Sequence, residues 1–394
     1  MRSRVVKTLA GGFLAAMLFS SAYAEDVAQE EAQKTVRASI VKNTNVSSYI
    51  DVGMLSSQLW GFMNWWPVVE LDMTKYDQYL VSLFSQLKGA GINQIYLSFG
   101  QIAGIDALLK DGVGSSTDDV ICRMMIDFPG AFQELVKQAH LAGIKVILSF
   151  GGENGTSMTI CKAGQTPQGQ AQKLVSAVQK FSLDGVDFDI ENTFFSKSNP
   201  DTISQTFFKT LYQQLSTLGK TSTLTVMGGI YDWPLGYLKG LFFDSTGKGI
   251  VSQLFHYLNL MLYSQTQYYL DANHPTWGIE QWLNLIGKQN SGMIQIGFED
   301  AIDYSKPATS AGGTYTITTT NPGTAAAQIY IQLLQKLTQD GYPVNFGPTF
   351  FWPDNNRTAP GTWRRYQAIT QNGKIIVKFA ADRMQTFHDK IVSG

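Results

Sequence analysis

The run Asp184-Gly185-Val186-Asp187-Phe188-Asp189-Ile190-Glu191 places three carboxylates at alternate positions. On a β-strand alternate side chains share a face, so Asp187, Asp189 and Glu191 project together and Val186, Phe188 and Ile190 project the other way. Acids spaced about 6.6 Å apart on one strand face cannot all ionise cheaply in a poorly solvated interior. At least one is expected to hold a proton near neutral pH. Glu191 is the outermost, and a carboxyl with a raised pKa at the mouth of a cleft is what general-acid chemistry requires. Asp184 lies at the other end, in the turn entering the strand, and is expected to serve as a turn or cap residue.

Such a strand needs neighbours that cover both of its faces. Along the chain a unit recurs: amphipathic helix, glycine, short apolar strand, long polar loop. Tyr76, Tyr79, Leu80, Leu83, Phe84 and Leu87 follow the three-and-four spacing of one buried helical stripe. That helix ends at Gly89-Ala90-Gly91 and leads into a strand over Ile92–Phe99. A second, around Phe132, Leu135, Val136 and Ala139, ends at Ala142-Gly143 before Lys145–Phe150. The third ends at Asp184-Gly185 and a later one at Asp340-Gly341, ahead of Phe350-Phe351-Trp352. Glycine after each helix is expected to supply the left-handed cap. Further strands are expected over Ser48–Met54, Leu224–Ile230, Leu258–Ser264 and Met293–Phe298. Helices are expected near Ser204–Leu218, Ile250–Tyr257, Trp277–Ile286 and Ala325–Leu337.

Eight strands alternating with helices over some three hundred residues match one α/β domain, a (β/α)8 TIM barrel with long loops at the C-terminal face of the strands. A doubly wound open sheet would need a G-x-G-x-x-G phosphate turn, which the sequence lacks. In a barrel the Val/Phe/Ile face must meet the helices, which turns the acids towards the axis. The Gly/Thr/Ser-rich stretch 301–323, with a strand-like segment at Tyr315–Thr320, reads as a hairpin on the loop rim.

Composition narrows the class. The 394 residues are 44% hydrophobic and 15% charged, which excludes a disordered chain, and a formal net charge of -1 gives no basic field for nucleic acid. The four histidines (His140, His256, His274, His388) lack metal-binding spacing, so neither metal nor cofactor is expected. Arg2, Arg4 and Lys7, the apolar run Thr8–Phe19 and Ala22-Tyr23-Ala24 form the pattern of a secretory signal peptide, residues 1–24. A polar leader over 25–47 and the catalytic domain over 48–394 would follow. The apolar run is too short for a stable membrane span, so an exported, extracellular or periplasmic protein without a membrane anchor is expected, with a monomer favoured. Export makes Cys122 and Cys161, on two loops of the same barrel face, a candidate disulfide; two buried thiols are the alternative.

D-G-V-D-F-D-I-E resembles the D-x-x-D-x-D-x-E signature of glycoside hydrolase family 18, the retaining chitinases and their relatives. Ser149-Phe150-Gly151-Gly152 is similar to the family's S-x-G-G on the preceding strand, Met261-Leu262-Tyr263 to its M-x-Y on the sixth, and Trp352 stands where the family ends the eighth with tryptophan. The resemblance spans essentially the whole chain after residue 24. It implies a substrate-assisted mechanism, an exception to the two-carboxylate scheme. Glu191 would protonate the glycosidic oxygen and later activate water, while the substrate's own 2-acetamido oxygen attacks the anomeric carbon. Asp189 would hold the acetamido N–H, Asp187 would share a proton with Asp189, and Tyr263 would bond the acetamido carbonyl. Trp352 would floor the subsite.

Ser264 departs from the Asp or Asn that usually follows the tyrosine. Its role could pass to Gln265, Glu299 or Asp300. Ser149, Gly151 and Gly152 are expected to act structurally, making room for the fourth strand. Tyr231 and Trp233, with Trp65, Trp66 and Trp277, sit in or beside loops that follow strands and read equally as sugar platforms or packing. The implied substrate is a β-1,4-linked N-acetylglucosamine polymer or oligomer. The alternatives are an endo-β-N-acetylglucosaminidase acting on glycoprotein N-glycans and a catalytically weak lectin or inhibitor of the same fold.

Overall fold

The computed structural model describes residues 46–64, 69–113, 119–152, 165–190, 201–227, 241–261, 277–299, 323–341, 349–352, 367–378 and 389–390. Eight parallel strands close into a barrel in sequence order. They are β1 (Val46–Asp51), β2 (Ile92–Gly100), β3 (Lys145–Gly151), β4 (Gly185–Asp189), β5 (Thr221–Met227), β6 (Tyr257–Met261), β7 (Ile294–Glu299) and β8 (Thr349–Trp352). β1 closes the ring by pairing with both β2 and β8. Helices α1 (Met73–Gly89), α2 (Ala131–Leu141), α3 (Pro167–Lys180), α4 (Asp201–Thr217), α5 (Trp277–Ile286) and α6 (Gly323–Gln339) follow strands 1 to 4, 6 and 7. Among the described residues no helix is long and apolar enough to cross a membrane.

The six apolar positions read as one stripe are the residues that α1 buries, and Asp72 caps the helix by accepting from the Lys75 N–H at 3.1 Å. Gly91, Gly143 and Gly341 take positive φ after their helices, as expected. The third turn works differently. There Ser182 carries the left-handed conformation, and Gly185 serves close approach: a Cβ on it would lie 2.3 Å from the Thr221 carbonyl oxygen of β5.

Several boundaries differ from expectation, and four differences bear on the core or on the residues singled out above. The chain leaves β1 at Asp51, and Val52–Leu59 is a helix that buries Val52, Leu55 and Leu59 at helical spacing. β1 begins at Val46, so Val46 and Ser47 belong to the barrel and not to a leader. Ile250–Tyr257 forms one 3-10 turn, Val251–Gln253, before β6, although Val251, Leu254 and Phe255 are all buried. Cys122 is in a helix, Val120–Asp127, not in a loop. Its side chain is fully buried with Sγ 3.7 Å from the Gly104 carbonyl oxygen. Cys161 lies outside the described residues, and no disulfide is present among them. The expected rim hairpin over 301–323 falls almost wholly outside them, and the signal segment 1–24 entirely so.

Asp184 ties the bottom of the barrel together. Its Oδ2 accepts from the Val146 N–H of β3 at 2.9 Å and lies 2.8 Å from His140 Nε2 of α2, while Oδ1 accepts from Lys220 Nζ at 3.2 Å. Partial burial acts to raise its pKa, but these three partners more than offset it and hold the carboxyl below its ordinary value. Its contribution to stability is therefore present above the unfolded value, about 3.9, and is lost as pH falls through the folded one. Asp184→Ala is expected to cost about 1–3 kcal/mol in urea melts while leaving kcat per folded molecule unchanged. The variant should also lack the corresponding acid-side loss.

At the same end His256 is held neutral by burial, which keeps its pKa below the ordinary histidine value. Its Nδ1 accepts from the Ser222 N–H at 3.0 Å, so the ring hydrogen sits on Nε2, 2.8 Å from Ser216 Oγ. His140 and His256 thus both hold the fold together.

Candidate active site

β4 turns its acids inward, as its alternation requires. On the outer face Phe188 stacks on Phe150 of β3 at 5.9 Å and meets Phe207 and Phe208 of α4 edge-on at 6.1 and 4.9 Å. That aromatic packing fixes the strand's orientation. A one-residue slip would bury the carboxylates among phenyl rings. On the inner face Asp187 is 0% exposed and Asp189 2% exposed, which excludes a solvated acidic strand.

Asp187 is enclosed by hydroxyls from three other strands. Oδ2 accepts from Ser149 Oγ of β3 at 2.6 Å and lies 2.9 Å from Tyr49 Oη of β1. Oδ1 lies 2.6 Å from Thr223 Oγ1 and 2.8 Å from Thr225 Oγ1, both of β5. Tyr49 Oη and Thr225 Oγ1 are themselves 2.8 Å apart, and Asn259 Nδ2 of β6 donates to Thr225 Oγ1 at 2.8 Å. Burial pushes the Asp187 carboxyl above its ordinary pKa; the bonds from Ser149, Thr223, Thr225 and Tyr49 oppose this without cancelling it. Tyr49 is pushed well above the ordinary tyrosine value by burial first and then by the nearby Asp187 and Asp189.

Polar contacts continue around the lumen. Tyr96 of β2 stacks on Tyr49 with ring centroids 4.7 Å apart, donates to Gln295 Oε1 of β7 at 3.1 Å and accepts from Gln94 Nε2 at 2.9 Å. A (β/α)8 interior is commonly filled with branched aliphatic side chains. Here Tyr49, Tyr96, Ser149, Asp187, Thr223, Thr225, Asn259 and Gln295, all buried, line this part of it.

Of the residues singled out from sequence, Asp187 and Asp189 are brought together in the lumen. Ser149 is more than a spacer, because its hydroxyl bonds Asp187 directly. Gly152 makes room for Phe99 rather than for β4: at φ 83°, a Cβ on it would fall 2.6 Å from the Phe99 ring. Its N–H donates to the Asp189 carbonyl oxygen at 3.0 Å, and Gly151 pairs in register with Asp189. Asp184, expected as a turn or cap residue, bonds Val146, His140 and Lys220 through its carboxylate. Trp352 and Glu299 end β8 and β7 in register with each other at the C-terminal face. Glu191, Tyr263, Ser264, Gln265, Asp300, Tyr231 and Trp233 lie outside the described residues.

Sequence reasoning missed Tyr49, Thr223, Thr225 and Asn259. Their signal was present. In Thr221-Ser222-Thr223-Leu224-Thr225-Val226-Met227 and Leu258-Asn259-Leu260 the apolar residues alternate with a polar inner face, as on the acid strand.

The chain is similar to several solved structures at low identity. A chitinase from Pseudoalteromonas aurantia is 16% identical, over 78% of this chain and 93% of its own, with a TM-score of 0.46. The catalytic domain of a hyperthermophilic chitinase from Pyrococcus furiosus is 14% identical, over 88% and 94%, with a TM-score of 0.49. An endo-beta-N-acetylglucosaminidase from Cordyceps militaris is 15% identical, over 91% and 94%, with a TM-score of 0.43. No curated protein sequence matches the chain. The family model for glycosyl hydrolases family 18 matches residues 68–372, well over half of the sequence and including the whole acid strand. The chain belongs to glycosyl hydrolases family 18.

Proposed function

We infer that this protein is an exported, chitinase-like glycoside hydrolase that cleaves β-1,4-linked N-acetylglucosamine polymers or oligomers with retention of configuration. The observation that carries the reading is the burial of Asp187 and Asp189 on the inner face of one strand. Acids stacked along a single strand cannot flank a sugar from opposite sides, so the nucleophile comes from elsewhere, and a 2-acetamido group supplies one. Glu191, next on the same alternation, protonates the departing glycosidic oxygen. The acetamido oxygen attacks C1 to give a cyclic oxazolinium ion, and Glu191 then takes a proton from the water that opens it. Asp189 holds the acetamido N–H and offsets the positive charge developing on the ring. Tyr263 bonds the acetamido carbonyl and Trp352 stacks on the sugar face.

The test is turnover of soluble N-acetylglucosamine oligomers, with the anomeric form of fresh product read by NMR and inhibition tested with a thiazoline analogue of the cyclic ion. β-Product and competitive inhibition are expected. Cleavage confined to a high-mannose glycoprotein would redirect the reading to N-glycans. Tight oligomer binding without turnover would redirect it to a lectin or inhibitor.

A further inference from the structure

The formal charge of -1 conceals a separation of charge along the barrel axis. From the last helical turn to the first strand residue, each passage from α1 to α6 into the next strand carries one lysine: Lys88, Lys145, Lys180, Lys220, Lys288 and Lys336. All are exposed except Lys220, which is half-buried. Three carboxylates offset them: Asp111 at 3.1 Å from Lys180, Asp184 at 3.2 Å from Lys220 and Asp340 at 2.5 Å from Lys336. At the opposite face the strands end on Asp51, Asp189 and Glu299, and none ends on a lysine or arginine. A cation in the last turn of a helix offsets the helix dipole, which accounts for Lys88, Lys180 and Lys336. It does not account for Lys145 at the start of β3, Lys220 beyond the end of α4, or Lys288 at the start of a 3-10 turn.

Apolar side chains stand among these lysines. Leu141, the last residue of α2, is 72% exposed, and Leu218, just past α4, is 39% exposed. Polar contacts join their surroundings into one patch. His140 beside Leu141 and Lys220 two residues after Leu218 both meet Asp184, at 2.8 and 3.2 Å, and Lys88 Nζ donates to the Gly143 carbonyl oxygen at 3.4 Å. The patch contains a groove of about 440 Å³. Val136, Leu141 and Phe181 give it apolar walls, while Lys137, His140 and Lys180 border it. Lys137 is also paired with Glu134, at 2.9 Å.

We propose that the protein docks by this N-terminal end of its barrel on a bilayer surface rich in anionic phospholipid, with the lysines at the phosphates and Leu141 and Leu218 inserted below them. Lysines alone would serve a soluble polyanion equally. Exposed leucines beside flexible lysine stems suit an interface, where each ammonium stays among the head groups and the apolar side chain enters the acyl boundary. The groove is large enough for one head group. Docking of this kind needs no helix that crosses the bilayer, and the described residues contain none long and apolar enough to do so. It turns the C-terminal face of the barrel, with Asp189 at the end of β4, away from the membrane. The inference goes beyond the hydrolytic reading above and does not depend on it.

Binding is read by sedimentation of the full chain with vesicles of phosphatidylcholine alone or of equal parts phosphatidylcholine and phosphatidylglycerol. At about 0.1 M salt the mixed vesicles are expected to carry the protein down and the neutral ones to leave it in solution, and about 1 M salt should release it. Lys88→Gln/Lys145→Gln should weaken binding about 25-fold, or about fivefold for each ammonium taken from the surface. Lys88→Arg/Lys145→Arg should bind as the wild type does. Leu141→Ser should weaken binding about tenfold, which separates a lipid surface from a soluble polyanion. Lys75→Gln/Arg123→Gln removes the same charge from outside the patch, at two residues paired with Asp72 and Asp127, and should bind unchanged.

Equal sedimentation of the wild type with neutral and mixed vesicles overturns the proposal. So does an equal loss in Lys75→Gln/Arg123→Gln, which would make net charge the cause. Leu141→Ser binding as tightly as the wild type, with inorganic polyphosphate competing fully, would assign the patch to a soluble polyanion and overturn docking on lipid. Lysine variants that melt below the wild type without losing affinity would assign the lysines to the helix ends, and overturn it too. Vesicle binding needs no substrate, so docking and oligomer hydrolysis can each fail while the other stands.

Discussion

Glu191→Gln is expected to lower kcat on N-acetylglucosamine oligomers by roughly 10²–10⁴-fold while oligomer binding stays within about threefold of the wild type. Glutamine keeps the size and the hydrogen-bonding reach of the side chain but has no proton to give to a departing alkoxide. Glu191 follows Asp189 by two residues in the sequence, and the inward projection of Asp187 and Asp189 is the ground for the role proposed for it. An aryl glycoside with a strongly acidic phenol as leaving group separates acid catalysis from general damage. Such a phenol departs without protonation, so formation of the cyclic ion from it should be far less impaired than from the natural oligomer. Unchanged kcat on the oligomer would remove Glu191 from the mechanism.

The second large effect is on stability. Asp187→Ala takes the common acceptor away from Ser149, Thr223, Thr225 and Tyr49, all buried in the lumen. Tyr49 and Thr225 can still bond each other, whereas Ser149 and Thr223 lose a partner at 2.6 Å. Each buried polar group left unsatisfied costs about 1–3 kcal/mol, and a cavity is added. A loss on the order of 4 kcal/mol is expected in equilibrium unfolding, a size reserved for broken buried networks and large core defects. Asp187→Asn should cost much less, because its carbonyl still accepts from β5 and its amide can donate to Ser149 and Tyr49. Equal stability of the alanine and asparagine variants would show that the hydroxyls do not depend on this acceptor.

The acid strand and the stripe of α1 were legible because each obeys one period without interruption. Val186 and Phe188 alternate with Asp187 and Asp189, and six residues from Tyr76 to Leu87 recur at helical spacing. The turn at Val251–Gln253 was misread because Val251, Leu254 and Phe255 are apolar at a helix-like interval; burial without a full helical turn leaves the same trace in sequence. The helix carrying Cys122 was missed although Asp119 caps it, accepting from the Ile121 and Cys122 N–H groups at 3.0 and 2.9 Å. The inner lining was legible strand by strand. Its convergence on Asp187 was not, because β1, β3 and β5 bring Tyr49, Ser149 and Thr223 together across more than a hundred residues of chain that local patterns do not link.

That convergence bears on how the chain matures during synthesis. A nascent chain emerges N-terminus first, and at the moment β4 leaves the ribosome two of the partners of Asp187 exist and two do not. Until β5 follows, Thr223 and Thr225 cannot reach it. A four-stranded half therefore holds Asp187 with only two of its four hydroxyl partners in place. The lumen thus couples the two halves of the ring into a single cooperative step, and a break in the polypeptide between β4 and β5 should be far harder to tolerate than one in an outer loop.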